Sequence, residues 1–158
     1  MESTMPEQTE SKAMPKKTSR RRAREAAFLL LFAAGFADQP DDAEQKEAGA
    51  ALTEELLETP YDAYTDELVK GVGEKEAELD EIYVPFLTGS WRKERLSHVT
   101  RTLLRMAVYE LYYVADMADQ AGVVINESVE LCKRYAGEGK EPGFLNGVLG
   151  SVVRSRRK

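Results

Sequence analysis

The stretch SHVTRTLLRMAVYELYYVA, residues 97–115, predicts a long amphipathic helix. At about 100° per residue, its apolar side chains gather on one side: Val99, Leu103, Met106, Ala107, Leu111 and Val114. Arg101, Arg105 and Tyr112 share the opposite side. Glu110 falls in the middle of the apolar side, where an unpaired carboxylate would be strongly destabilising. We therefore expect another helix to supply a basic or hydrogen-bonding partner for Glu110.

Helical periodicity also dominates the rest of the chain. Further helices are predicted over residues 20–35, 41–59, 62–83 and 91–96, from residue 122 onward, and in a last segment that starts near residue 142. No pair of strands is predicted, so the expected fold is all-α, with about seven helices and short connections. Residues 1–15 lack periodicity and are rich in Pro, Ser, Thr and Glu. We expect them to form a disordered extension before one domain over residues 16–158.

Charge is distributed very unevenly along the chain. The net charge is −6, yet residues 38–82 contain 16 acidic residues and 3 basic ones. Six of the nine residues from 16 to 24 are basic, and the chain ends on Arg154, Arg156, Arg157 and Lys158. The sequence therefore predicts two faces of opposite sign.

Composition excludes several classes of protein. A single Cys and a single His exclude a disulfide framework and a Cys/His zinc site. Cys132 is expected to be a small buried residue, and scarce cysteine favours a reducing compartment, the cytoplasm. The apolar run over residues 26–37 is far shorter than the roughly 20 residues that span a bilayer. No membrane span and no cofactor are expected.

The basic segment KKTSRRRAR, residues 16–24, opens a predicted helix against the helix dipole. Each exposed cation there is unfavourable by roughly 0.3 to 1 kcal/mol, so stability alone would not select it. Binding to an anionic partner such as a nucleic acid would explain the basic segment, because Lys and Arg bind phosphates and release counterions. The alternative is a charged helix end that is merely solvated. Four aromatic residues could stack on bases, although core packing is more typical of each: Phe32, Tyr109, Tyr112 and Phe144.

No catalytic constellation is recognisable. GEGKEPG, residues 137–143, lacks the Gly-Lys-Ser/Thr ending of a phosphate loop and follows a predicted helix, so it is interpreted as a flexible interhelical turn. No Ser or Cys nucleophile is arranged around His98 by spacing, and we expect this residue at the surface or at a helix cap. Arg101 and Arg105 could bind phosphate or form salt bridges with the acidic helices, and the sequence leaves both open.

Four stretches follow one another along the chain: SRRRAREAAFLLLF, WRKERLSHVTRTLLRMAVYEL, VVINESVELCKRYAG and FLNGVLGSVV. Together, over about residues 19–153, they resemble the motifs of the NusB family of bacterial transcription antitermination factors. The resemblance implies an all-α fold of two small perpendicular helical bundles and no catalytic activity. It also implies binding of boxA RNA in nascent ribosomal RNA leaders together with NusE, a small-subunit ribosomal protein, which keeps RNA polymerase termination-resistant.

The resemblance assigns roles to individual residues. The basic residues implied to bind RNA phosphates are Lys16, Lys17, Arg20, Arg21, Arg22 and Arg24. Phe144 matches an aromatic at the RNA surface, and Asn146 and Gly147 complete its motif. The other positions implied near RNA are Phe32, Thr100, Arg105 and Lys140, and those implied near NusE are Trp91, Glu94 and Arg95. Phe32 replaces a Tyr that is common in the family, Thr100 replaces an acid that family members often carry, and Lys140 stands where an acid is sometimes found.

Two alternatives use the same fold. A NusB-like domain attached to an RNA methyltransferase is disfavoured, because 158 residues leave no room for the methyltransferase. A helical adaptor that binds protein through its acidic face, without specific RNA binding, is the other alternative. The sequence leaves open whether the chain is a monomer or a homodimer.

Overall fold

The computed structural model describes residues 16–37, 63–88, 92 and 95–156. These residues form seven α-helices and one 3-10 turn, Val84–Phe86. The helices are α1 Lys16–Ala37, α2 Ala63–Glu74, α3 Glu76–Tyr83, α4 His98–Tyr113, α5 Ala115–Ala118, α6 Ala121–Ala136 and α7 Glu141–Arg156. The all-α prediction is confirmed for the described residues. The helix predicted over 41–59 and half of the residues of the one predicted over 91–96 lie outside them.

Helix α4 is the centre of the fold. The Ser97 side chain caps it by accepting a hydrogen bond from the backbone N–H of Thr100 at 3.1 Å. The helix ends at Tyr113 because Val114 adopts an extended conformation, and α5 then restarts at Ala115, two residues after the end of α4. Helices α1 and α2 pack on each other and on α4, and α6 and α7 do the same. Two groups of helices thus meet through α4.

The single helix predicted over residues 62–83 is wrong, because two helices occupy this segment. The break falls at Lys75, whose φ of −123° and ψ of 22° are not helical. Gly71 and Gly73 lie in the last turn of α2, and glycine weakens a helix by its conformational entropy. Both helices bury apolar side chains in the common core: Leu68, Val72, Leu79 and Tyr83.

The interhelical turn predicted over residues 137–143 is confirmed for residues 137–140, because α7 already begins at Glu141. Gly137 ends α6 with a φ of 89°, a conformation that disfavours other residues. Pro142 lies in the first turn of α7, where its missing N–H leaves no helical hydrogen bond unmade.

A continuous hydrophobic cluster joins the helices. Cys132 lies within it, fully buried as expected, and burial raises the pKa of its thiol to about 11. Within the described ranges, no helix combines the length and apolar character needed to cross a membrane.

Candidate nucleic-acid interface

The arginines near the start of α1 divide between the surface and the interior. Arg21 and Arg22 are exposed, and Arg20 is partly exposed. Arg24, one helical turn beyond Arg20, is buried beneath α2 and α4. Lys16 and Lys17 belong to the first turn of α1, and their assignment to RNA rests on the sequence.

Arg24 takes part in a buried network with Glu110 and Tyr64. Arg24 Nε donates to Glu110 Oε2 at 2.8 Å, and the Tyr64 hydroxyl donates to the same oxygen. Arg24 Nη2 also contacts the sulfur of Met117 at 3.0 Å. Burial raises the pKa of Glu110, and the charge of Arg24 opposes this effect. The expected partner of Glu110 is therefore confirmed, and we leave Arg24 out of the proposed RNA surface because solvent cannot reach it.

Arg20 is held at the surface by two contacts. Its Nη1 lies 3.1 Å from Asp116 Oδ2, in the short helix α5. Its guanidinium carbon lies 3.9 Å from the centroid of the Tyr64 ring, which is cation–π geometry. The side chains of Arg20 and Asp116 are 32% and 64% exposed, so water and other anions compete for this ion pair.

Arg21 makes a two-pronged ion pair with α6. Its Nε and Nη2 donate to the two carboxylate oxygens of Glu127, at 3.0 and 2.8 Å. The Arg21 side chain is 62% exposed, whereas the Glu127 side chain is 10% exposed. The hydrogen bond and charge of Glu127 raise the pKa of Arg21. This contact fixes the orientation of a guanidinium group that remains open to solvent.

A second contact joins α1 to α6 one turn further along. Glu25 Oε2 accepts hydrogen bonds from Arg134 Nη1 at 2.8 Å and from the Tyr135 hydroxyl at 2.5 Å. The Tyr135 ring packs against Phe28, with centroids 5.0 Å apart. Neither Glu25 nor Glu127 was predicted as a site residue from the sequence. Glu127 could have been found from its spacing, since it lies three residues after Val124 and four before Leu131, on the apolar side of α6.

Phe32 lies between two other rings. Its centroid is 5.5 Å from that of Phe28 and 4.7 Å from that of His98. His98 Nε2 lies 3.0 Å from the Phe32 carbonyl oxygen. His98 is half-buried in the first turn of α4. It is therefore more enclosed than the surface position that the sequence predicts as one possibility. Burial lowers the pKa of His98, with help from the charges of Arg101 and Arg105.

The start of α7 carries the remaining candidates. Lys140 and Asn146 are exposed, and Phe144 is half-buried against the core. Thr100 is fully buried. The hydroxyls of Ser97 and Thr100 both donate to Glu141 Oε1 at 2.5 Å, which ties the start of α4 to the start of α7. Thr100 therefore supports this region from the interior.

Arg105 is engaged by the acidic helix α3. Its Nε and Nη2 donate to the two oxygens of Asp80, both at 2.9 Å, and its Nη1 lies 3.5 Å from Glu76. The hydrogen bond to Asp80 raises the pKa of Arg105. Of the two roles left open for Arg105, the structure shows the salt bridge. Arg95 is exposed, while Trp91 and Glu94 lie outside the described residues.

Comparison with known proteins places this arrangement in a family. A model of the NusB family matches residues 21–154, which include all of the described helices except the ends of α1 and α7. The chain belongs to the NusB family. Arg21, Arg22 and Arg24 of the basic segment, the buried Glu110 and the α6–α7 turn all fall inside this match, and Lys16, Lys17 and Arg20 precede it.

Individual relatives agree with the NusB assignment. The chain is 35% identical over 153 residues to the transcription antitermination protein NusB of Nitratidesulfovibrio vulgaris (strain Miyazaki F), covering 89% of this chain and 90% of the relative. It is 38% identical over 134 residues to the protein of the same name from Listeria monocytogenes (strain EGD-e), covering 85% and 95%.

Two solved structures share the fold. One is the crystal structure of antitermination factors NusB and NusE in complex with dsRNA, with a TM-score of 0.66 and 31% identity over 86% of this chain and 96% of that one. The other is NusB of T. maritima, with a TM-score of 0.64 and 31% identity over 85% and 90%.

Proposed function

We propose that this protein is a transcription antitermination factor. In this proposal it binds the boxA element of nascent ribosomal RNA leaders together with NusE, and the complex keeps RNA polymerase termination-resistant. One observation carries the proposal: the described fold aligns with 96% of a NusB chain that was solved with NusE and dsRNA. The protein then acts by binding, without catalysis.

The proposed RNA surface is centred on the start of α1. Arg20, Arg21 and Arg22 present positive charge to solvent there, and Lys16 and Lys17 precede them in the same helix. Lys140, Phe144 and Asn146 at the start of α7 would add a cation, a stacking ring and an amide. Such groups bind single-stranded RNA through phosphates, base faces and base edges.

The acidic helices α2 and α3 would orient the RNA. Their exposed carboxylates repel a polyanion: Asp66, Glu67, Glu74, Glu76, Glu78 and Glu81. RNA is therefore expected to approach from the side of α1. The segment with Trp91, Glu94 and Arg95 is assigned to NusE by the family resemblance.

The second candidate function is a helical adaptor without specific RNA binding. It is favoured by the internal ion pairs of the basic segment, since Arg20 is bound to Asp116 and Arg21 to Glu127. On this alternative, alanine at Arg20, Arg21 and Arg22 would leave partner binding unchanged.

The two candidate functions are distinguished by measuring RNA binding. A fluorescent boxA RNA and a scrambled RNA of equal length are titrated with the protein, with and without purified NusE, over a series of salt concentrations. We expect a preference for boxA that grows when NusE is present. Equal binding of both RNAs, or none at any salt concentration, would contradict the antitermination proposal.

A matched pair of variants tests whether RNA binds at the start of α1. Arg22→Ala removes an exposed cation from α1, and Lys70→Ala removes one from the acidic helix α2. Arg22→Ala should weaken RNA binding and make it less dependent on salt, because one phosphate contact is lost. Lys70→Ala should leave binding nearly unchanged. Equal effects of both variants would argue against a localised RNA surface.

A further inference from the structure

The ion pair between Arg21 and Glu127 is asymmetric. The carboxylate of Glu127 is nearly enclosed, while most of the Arg21 side chain faces solvent. Glu127 is bound through Nε and Nη2 of Arg21. A guanidinium group has five N–H donors, so this contact leaves donors for a second anion.

This asymmetry decides whether the ion pair survives when RNA arrives. If Arg21 turned away from Glu127, a buried carboxylate would lose its partner, which is strongly unfavourable. Asp116, the partner of Arg20, is mostly exposed and would simply be solvated by water if its arginine left. The Arg21 contact is therefore the one expected to persist in a complex.

We propose that Glu127 is a positioning residue, which holds the Arg21 guanidinium so that its unoccupied N–H donors meet a phosphate of the bound RNA. The proposal rests on the RNA-binding part of the proposed function, and it names a residue of α6 that does not itself touch RNA. A long, flexible side chain loses rotamer freedom on binding. Fixing Arg21 before RNA arrives lowers this entropic cost.

The positioning role predicts a result opposite in sign to simple electrostatics. Glu127→Gln keeps the size of the side chain and removes one negative charge close to the RNA surface. Charge alone predicts tighter binding of a polyanion. Positioning predicts weaker binding, because the neutral amide no longer holds Arg21 in place through two charge-assisted hydrogen bonds.

Glu130 supplies the matched control. It lies one turn further along α6, it is exposed, and its charge also acts on Arg21. Its ion-pair partner is Lys133, at 3.6 Å. Glu130→Gln therefore changes the net charge by the same amount and at a similar place without removing a hydrogen bond from Arg21.

The experiment measures RNA affinity of the full chain for boxA RNA and for a scrambled RNA over a salt series, with thermal unfolding of each variant by circular dichroism. Glu127→Gln should bind both RNAs roughly tenfold more weakly, the scale of one lost charge-assisted contact. The slope of log affinity against log salt should fall in magnitude by about 0.7 to 0.9. Glu130→Gln should bind as tightly as the unchanged protein or slightly more tightly.

Two further variants separate positioning from a general loss of structure. Arg21→Lys keeps a positive charge next to Glu127 but cannot form the two-pronged contact, so it should weaken RNA binding with a smaller loss of thermal stability than Arg21→Ala. In the background of Arg21→Ala, adding Glu127→Gln should weaken binding no further, because Glu127 acts through Arg21.

The outcomes are distinct for the two proposals. If Glu127→Gln binds RNA as well as Glu130→Gln does, or if Arg21→Lys binds as well as the unchanged protein, the positioning role is overturned. If the unchanged protein binds both RNAs equally and Glu127→Gln weakens both, the boxA proposal fails and the positioning role stands. If the unchanged protein binds no RNA at any salt concentration, both fail.

Discussion

Two arginines three residues apart in the same helix form ion pairs of opposite character. Arg24 and Glu110 are 5% and 1% exposed, and Tyr64 completes their contact. Arg21 and Glu127 are 62% and 10% exposed. In the first pair both charged groups are buried, and in the second pair only the carboxylate is buried. Helix α1 thus places one arginine of the basic segment in the core and another at the surface.

The difference separates structure from binding. A fully buried pair adds little net stability compared with apolar residues of the same shape, yet removing one partner is very destabilising. A pair with one exposed partner keeps that partner available to a second anion. The acid is buried in both pairs, so the exposure of the arginine decides which of these positive charges stays available to a second anion.

The largest expected effect comes from breaking the interior pair. Arg24→Ala strands the carboxylate of Glu110 in the core and should lower the free energy of unfolding by about 3–5 kcal/mol. Urea unfolding followed by circular dichroism measures it. Arg22→Ala, an exposed arginine of the same helix, is the control and should change stability by less than about 0.5 kcal/mol. Similar losses in both variants would remove the distinction between interior and surface.

The buried network also shows which features of the structure can be predicted from the sequence. Helical spacing alone placed Glu110 on the apolar side of α4 and required a partner for it. Arg24 lies in the basic segment at the start of α1, and its charge directed its interpretation toward RNA. Which acid meets which arginine depends on the packing of α1 against α2, α4 and α6, and periodicity within one helix carries no information on that packing.

Helix ends were harder to predict than helix identity. The apolar spacing over residues 62–83 continues through the break at Lys75, because α2 and α3 both bury their apolar residues in the same core. Two glycines before the break were the available signal. Glu127 lies in the stretch VVINESVELCKRYAG, but its burial depends on the packing of α6 beside α1.

A second contrast between interior and surface uses two glycines of α2. A Cβ added at Gly71 would overlap the Tyr109 ring, whereas one added at Gly73 meets nothing within 4 Å. Gly71→Ala should lower the free energy of unfolding by about 1–3 kcal/mol, because the ring must shift in a packed core. Gly73→Ala should raise it by about 0.4–1 kcal/mol. Urea unfolding of both variants checks the pair, and a stabilising Gly71→Ala would contradict the packing.

A smaller effect is expected from His98, the single histidine of the chain. Burial, with the nearby charges of Arg101 and Arg105, lowers its pKa, while the hydrogen bond to the Phe32 carbonyl opposes this. The unfolded chain then binds a proton at a higher pH than the folded protein does. Stability from this residue is present above about pH 6.5, and it is lost as the pH falls toward the folded pKa.

The comparison that isolates His98 is the unfolding free energy at pH 7.5 and at pH 5.5 for the unchanged protein and for His98→Gln. The unchanged protein should lose more stability on acidification than the variant does. Carboxylates such as Glu110 titrate in both proteins, so their contribution cancels in the difference. Equal losses in the two proteins would show that His98 is not the group responsible.

The smallest expected effect on stability belongs to the exposed ion pair between Arg20 and Asp116. Asp116→Asn should change the free energy of unfolding by less than about 1 kcal/mol, because solvent screens the pair. RNA binding should become slightly tighter, since the carboxylate no longer competes with phosphate for Arg20. Asp119→Asn removes the same charge from a nearby exposed position and serves as the control. If Asp116→Asn instead weakened RNA binding relative to Asp119→Asn, an exposed acid would also position its arginine, and burial of the acid would not be what distinguishes Glu127.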